Sequence, residues 1–440
     1  MKRYFLLILL ISVVLTGCHK QPVDEYTDEE KARDGLYELM NYAYLWRANL
    51  PVIDKTDYNG PADLLEAMRY KSKDKWSFVA DYDEFMASME GDFVGHGISM
   101  ALDTNNVVRI VIIYKKSDLY SQGVRRGWIV EQVNDTPIAP IFIAKDGTAY
   151  NTLMKPATAG ITNKFLFKRP DGVEVTLYST KAAFTINSVL ADTVLDLPSG
   201  KTAYFSFESF IEPSKDELNE LFAKFVAKGA KDLIIDLRYN GGGYMDIAKQ
   251  LASLCVNNSY ATRVCYRLEY NTYISSDWNQ TFNFATTASP LDLSRVVFIT
   301  TRSTASASEV VINSLKPYID VYIVGDTTHG KPCGMNLWGY PFDAASESEF
   351  YYLFAPVTFE YTNAYWQGRF YDGMVPNELA TDDIMHDFGD PNEHSLKTAI
   401  ALLEGKKSVS KVPYHRTTVF SEGTPLPTEL IFGKPKGFQK

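Results

Sequence analysis

The chain has 440 residues, of which 45% are hydrophobic and 22% charged, a globular composition with too much length for one ordinary core. A net charge of -10 and a pI near 5.3 exclude a general nucleic-acid surface, which needs Lys and Arg clustered against phosphate. No basic stripe runs along it.

The first element is a leader. Lys2 and Arg3 precede an apolar run, Tyr4 to Leu15, too short to span a bilayer as a mature helix, and Leu15-Thr16-Gly17-Cys18 closes it with small residues before a cysteine. This resembles a bacterial lipoprotein signal over residues 1–18. On that reading Cys18 is lipidated, and the mature protein is held at the cell envelope by acyl chains, on the periplasmic side of the outer membrane or on the cell surface. Three cysteines remain, Cys255, Cys265 and Cys333. Without CxxC or Cys/His spacing they exclude a zinc motif and a full disulfide framework, leaving either one Cys255–Cys265 bridge or buried free thiols.

Residues 19–90 read as a polar tether followed by a small helical domain. Leu36, Met40, Tyr44 and Leu45 recur at helical spacing before Pro51, and a second helix is expected from Pro61 to Tyr70. Residues 91–185 change period. Ile98 to Leu102, Val107 to Tyr114, Ile129 to Val133, Phe165 to Arg169 and Val173 to Tyr178 read as short strands divided by Asn, Asp and Gly turns. Within them, SDLYSQGVRRGWIVEQVNDTPI has the order helix, Gly, strand, Asn-Asp turn. Here the chain resembles a PDZ domain, which adds an extended peptide as an extra strand and holds its terminal carboxylate with backbone N–H groups. Gly95-His96-Gly97-Ile98 is the candidate carboxylate loop.

Residues 186–405 read as α/β. Tyr204 to Phe207 is a strand, Ser214 to Lys228 a helix with Leu218, Leu221, Phe222 and Phe225 on one side, and Asp232 to Leu237 a buried strand. Arg238-Tyr239-Asn240-Gly241-Gly242-Gly243 then enters another helix. Three glycines between strand and helix imply a close backbone approach or positive φ, and free N–H groups at a helix start stabilise an anion, either a phosphate or a catalytic oxyanion.

A strand, a polar turn, a helix from about Ser306 to Leu315, a second strand and a Gly-rich loop follow between Arg295 and Lys331. Ser306 and Glu309 have the spacing of a capping box. A serine there is also placed for chemistry, since the helix start favours a developing alkoxide, but it needs a base. None of the six histidines has the context of a Ser-His-Asp elbow, and no serine lies in G-x-S-x-G. Lys331 is the alternative base, because a desolvated lysine can be neutral near pH 7. Gly325 to Lys331 also matches the phosphate loop of nucleotide hydrolases, but the next residue is Pro332, which has no hydroxyl for Mg²⁺.

Taken in order, strand-Arg-x-Asn-Gly-Gly-Gly, Ser-Thr-Ala-Ser-Ala-Ser-Glu, and Gly-x-x-x-x-Gly-Lys with Lys331 25 positions after Ser306 resemble the C-terminal processing (tail-specific) protease family, peptidase family S41. Asp372-Gly-Met-Val-Pro-Asn377 resembles that family's G-x-x-P-D segment, with Asn in place of Asp. The resemblance implies an α/β superhelix of the Clp protease/crotonase type, with an inserted or preceding PDZ-like β domain. It implies Ser306 as nucleophile, Lys331 as general base, and an oxyanion hole from Ala307, Gly242 and Gly243. Gly95, Gly97 and Ile98 would bind the C-terminus of a protein or peptide substrate. No cofactor, metal or nucleic acid is implied, and the membrane enters only through the lipid anchor. Met335 stands where the family often places a Gln that orients the lysine, with Asn336 a candidate substitute. A catalytically weak or inactive peptide-binding lipoprotein of the same fold is therefore the second expectation. Residues 406–440, with Pro413, Pro425, Pro427 and Pro435, read as an extended tail without chemistry.

Overall fold

The computed structural model describes residues 26–406 and two short backbone strands beyond them, Val419–Ser421 and Phe432–Gly433. Cys18 and the leader lie outside the described residues. The centre is a six-stranded sheet in the order Val189–Leu197, Gly200–Phe207, Asp232–Asp236, Arg295–Thr300, Asp320–Gly325, Glu378–Leu379. Its first pair is antiparallel and the others are parallel. Parallel strands covered on both faces read as near-continuous apolar runs, and the alternation within each run assigns the faces. Leu233, Ile235, Val296 and Phe298 pack with the helices Ser214–Lys228, Met245–Cys255 and Ala307–Leu315. Ile234, Val297, Ile299 and Val324 pack instead with Leu396, Ala399 and Leu403 of the helix His394–Leu403.

The N-terminal helices, Asp28–Ala43 and Pro61–Met68, do not form a core of their own. Thr27 and Glu30 close a capping box at the first, and Leu36, Met40 and Tyr44 join the same apolar cluster as Phe205 and Phe298. A second sheet lies between these helices and the centre in sequence. Its strands Ile98–Leu102, Val108–Ile113, Ile129–Val133, Thr162–Lys168 and Glu174–Thr180 pair antiparallel around a separate cluster that includes Ile110, Val130, Phe165 and Phe167. Asp92–Gly95 pairs with Ala182–Thr185, so the segment leaves and rejoins the chain through a two-stranded neck.

Two features differ from the sequence reading. The helix expected before Gly123 is one turn, Asp118–Ser121, capped by Ser117. Two unforeseen helices, Ala139–Ala144 and Gly147–Met154, cover the second sheet with Phe142, Tyr150 and Met154. Pro140 and Gly147 obscure them in sequence, yet Pro sits in the first turn, where its missing N–H costs nothing, and the Asp146 side chain caps the second. Cys255, Cys265 and Cys333 are free and buried, so the Cys255–Cys265 bridge is absent.

Candidate active site

Ser306, Lys331 and the glycine loop meet where the central parallel strands end, the usual place for a site in an open α/β sheet. Ser306 is the N-cap of Ala307–Leu315 at φ 71°, ψ −120°. That left-handed backbone is costly for a residue with a Cβ and marks a constrained position. Its Oγ is buried and has no hydrogen-bond partner among the described residues. Gly242 approaches it so closely that a Cβ there would lie 2.7 Å from Ser306 Oγ. Gly242 and Gly243 have φ of 113° and 134°, and a Cβ on Gly243 would meet the Phe210 carbonyl oxygen at 2.2 Å. The glycines are needed for both reasons.

Asn240 fixes this loop to the serine helix. Its Oδ1 accepts from Gly242 N–H (2.9 Å) and from Ser308 Oγ (2.9 Å), and its backbone oxygen accepts from Ala305 N–H. The Gly242 amide is therefore engaged. Gly243 N–H has no acceptor among the described residues, and Ala307 begins a helix, where N–H groups are left unpaired.

Lys331 is fully buried. Its Nζ lies 3.8 Å from Met335 Sδ and 5.9 Å from the centre of the Trp76 ring. Trp76 comes from the N-terminal part, donates to His329 Nε2 at 3.2 Å and stacks on Tyr371. Asn336 is turned away, its Oδ1 accepting from Thr358 Oγ1. Met335, not Asn336, is thus the residue beside the lysine, and a thioether is only a weak acceptor.

One carboxylate joins the two halves. Glu309 Oε2 accepts from Ser306 N–H (2.8 Å) and Lys331 N–H (2.9 Å), while Oε1 accepts from Gly330 N–H (2.8 Å) and Thr328 Oγ1 (2.5 Å). Burial pushes its carboxyl above the ordinary range although these donors pull it down. The N–H groups that a phosphate loop would offer from Gly330 and Lys331 are thereby occupied by the Glu309 carboxyl, which removes the nucleotide reading. Tyr361 Oη adds a bond to the Lys331 carbonyl (2.9 Å). The segment 372–377 supports the loop from below: Met374 N–H donates to Thr328 Oγ1, and the Asn377 side chain accepts from Ile323 N–H.

Arg238 leads into the glycine loop from inside a buried ion cluster. It pairs with Asp236 (2.7 Å), Asp382 (2.8 Å) and Glu393 (2.8 Å), and Arg126 of the second sheet also pairs with Asp382 (2.8 Å). Burial alone would raise Asp382, but the Arg126 and Arg238 guanidiniums hold it below its usual range. Gly95, Gly97 and Ile98 are not in this site. They lie at the neck and edge of the second sheet, where His96 is buried with Nδ1 2.9 Å from Ser179 Oγ.

Residues 201–350 match the family model described as Peptidase family S41, and residues 31–78 match the Peptidase S41 N-terminal domain. Over these two stretches the chain is similar to peptidase family S41. Curated relatives include a "Probable CtpA-like serine protease" of Staphylococcus aureus, 24% identical over 308 residues, covering 68% of this chain and 55% of the relative. The corresponding Staphylococcus saprophyticus protein is 21% identical over 351 residues, covering 75% and 65%. The chain spans about half the length of the curated relatives it matches. The crystal structure of a "Putative S41 protease" of Bacteroides fragilis has the same fold, with a TM-score of 0.67 at 20% identity over 84% of this chain and 97% of that one.

The serine, the lysine and the glycine loop singled out from the sequence are the groups that the structure brings together. In the sequence Trp76, which reaches Lys331 from the other end of the chain, has no visible role, and Glu309 shows only as a cap.

Proposed function

We propose that the chain is a serine endopeptidase of the C-terminal processing type. Ser306 Oγ attacks the substrate carbonyl carbon and its proton passes to Lys331 Nζ. The tetrahedral oxyanion collapses as that proton is delivered to the leaving amine, and water then hydrolyses the acyl-enzyme by the same route. Ala307 and Gly243 N–H groups are the oxyanion donors. Gly242, its amide held by Asn240, serves by close approach to Ser306, which modifies the expected hole. Loss of one such donor lowers kcat by about 10²–10³. Residues 91–185 act as the PDZ-like domain, presenting a substrate C-terminus through Gly95, Gly97 and Ile98, and Cys18 carries the lipid anchor at the cell envelope.

The observation that supports this reading most is Glu309. One buried carboxylate holds the N–H of Ser306 and the N–H of Lys331 together, so two groups 25 positions apart form one rigid pair. A helix cap alone needs no second loop. The test is cleavage of an unfolded reporter by the chain beginning at His19, against Ser306→Ala and Lys331→Ala. Both variants remain folded and lose cleavage by at least about 10³-fold, as for members of a nucleophile–base pair. Met335 beside Lys331 favours a second reading, a peptide-binding descendant without turnover. Wild type that binds C-terminal peptides but cuts nothing would establish it.

A further inference from the structure

Lys331 belongs to the central α/β part, but one face of its surroundings comes from the N-terminal part. Trp76 places its ring centre 5.9 Å from Lys331 Nζ and is itself buried. The turn that carries it is pinned by Asp74. Asp74 Oδ1 accepts from Trp76 N–H and Ser77 N–H (both 3.0 Å), and Oδ2 accepts from Tyr44 Oη (2.8 Å) and Ser77 Oγ (2.5 Å). Ser77 Oγ accepts in turn from Val357 N–H (2.9 Å), and the strand that follows pairs Phe78 with Ala355. A buried carboxylate with four donors fixes where the Trp76 backbone stands. The direction of the ring is left to Tyr371, on which it stacks at 26°, and to one hydrogen bond, from the indole N–H to His329 Nε2 (3.2 Å).

That bond specifies a protonation state. An indole N–H can only donate, so His329 Nε2 is the bare nitrogen. Nδ1 lies 3.2 Å from the Arg302 carbonyl oxygen, which can only accept, so Nδ1 carries the proton. Both partners select the same neutral tautomer. A second proton would point an N–H at the indole N–H and end the bond. Among the described residues the surrounding charged groups offer such a proton no counter-ion. Arg302 lies 3.8 Å from Asp326 and donates to the carbonyls of Thr328 and Asp372, while Lys73 stands 5.5 Å from the centre of the Tyr371 ring. Asp74 is turned to Tyr44 and Ser77, Glu360 to Tyr371 and Arg369, and Glu309 to Ser306, Thr328, Gly330 and Lys331.

We infer that Trp76 is a positioning residue for Lys331, and that His329 in its neutral form is the latch that holds it there. The ring closes one side of Nζ to water and lays its electron-rich face where positive charge forms as the proton leaves Ser306. Released from His329, the indole turns away, water reaches Nζ, and the amine rests as a solvated ammonium that cannot take that proton. Imidazoles gain their proton between about pH 8 and about pH 5, so acidification lowers the rate through the latch as well as through the lysine itself. The catalytic meaning rests on the peptidase reading above; the latch does not.

The experiment uses the full chain with isotope-labelled tryptophan, followed by NMR in a Ser306→Ala background. The indole N–H signal of Trp76 is the one lost in Trp76→Phe. It is expected to move as the solution is taken from about pH 8 to about pH 5. It should stay in place in His329→Gln, whose amide accepts from the indole and donates to the Arg302 carbonyl without titrating. A signal that stays in place in both chains, or moves equally in both, overturns the latch. With Ser306 restored, cleavage of the unfolded reporter reads the positioning role, and thermal melts check that each chain remains folded. His329→Leu, which offers the indole no acceptor, should lower kcat about tenfold near pH 8 with KM little changed. His329→Gln should recover most of that loss and carry its rate to lower pH than the parent. Equal rates and equal pH profiles in the parent, His329→Leu and His329→Gln overturn the positioning role. No cleavage by any chain removes the peptidase reading and the positioning role with it, and the Trp76 signal still decides the latch.

Discussion

The two principal sheets treat buried polarity in opposite ways. Around Ile110, Val130, Phe165 and Phe167 the second sheet encloses an apolar cluster, with its buried polar groups such as His96, Ser117 and Ser179 near the neck. At the strand ends of the central sheet, Asp236, Arg238, Asn240, Thr301, Thr304, Ser306, Ser308, Glu309, Thr328 and Lys331 are all withdrawn from water. Each such group costs free energy unless it is bonded, so this concentration means that the position of backbone and charge there is held at the expense of stability. The second sheet is stabilised by burial; the strand ends of the first are specified by bonds.

Charge removal should break the contrast most strongly. Arg238→Met leaves Asp236, Asp382 and Glu393 gathered without their shared cation, and the expected loss is about 3–5 kcal/mol in urea unfolding. Ile110→Val, in the apolar cluster, should lose only about 0.5–1.5 kcal/mol. Comparable losses at both places would mean that the ion cluster is no more demanding than ordinary packing.

Glu309→Gln is the next step down. Glutamine keeps the volume but offers one acceptor oxygen where Ser306, Gly330, Lys331 and Thr328 present four donors to the carboxylate. A loss of about 1.5–3 kcal/mol of stability is expected. With the lysine and serine no longer held by one group, kcat should fall by more than tenfold, which is about 1.4 kcal/mol of barrier, while KM changes little. A KM effect alone would make Glu309 a structural cap and no more.

Glu208 tests the seam between the two regions. Tyr114 of the second sheet lies with Oη 3.5 Å from Glu208 Oε1, and burial pushes the carboxyl up to about 7, although the Ser209 and Tyr114 hydroxyls pull it down. A raised acid binds its proton more tightly in the folded state, so stability is greatest below the unfolded value near 4.5 and declines as pH rises toward 7. The expected decline is roughly 2–3 kcal/mol. Glu208→Gln, neutral throughout, should flatten the melting temperature across that window and exceed wild type at pH 8. A variant that melts below wild type at pH 8 would show that the ionised carboxylate is stabilising after all.

The sequence made the fold legible where residues repeat at a regular period and the site legible where residues are rare. Leu233, Ile234 and Ile235 could belong only to a strand buried on both faces, and Ser214 to Lys228 ends where its apolar stripe ends. Three consecutive glycines and a lysine at fixed distance from a serine pointed to the pair. Glu309 stayed hidden because serine followed three residues later by glutamate satisfies an ordinary helix start equally well. Trp76 stayed hidden because no local pattern marks a contact across 253 residues.

Met335→Gln should have the smallest effect and the clearest sign. The side chain is buried with Sδ 3.8 Å from Lys331 Nζ, and glutamine has nearly the same length with a strong acceptor in place of the sulfur. A bond from Nζ to the amide oxygen would fix the amine's direction, worth about 1 kcal/mol or roughly a fivefold rise in kcat. The new amide also needs partners at this buried position, and any left unmade costs about 1–3 kcal/mol of stability. A rise in kcat with a small loss in melting temperature would show that the methionine spares stability while leaving the lysine loosely aimed. A fall in both would mean that the lysine is already aimed by the Glu309-bound loop and needs only a dry neighbour, making the thioether part of the working site.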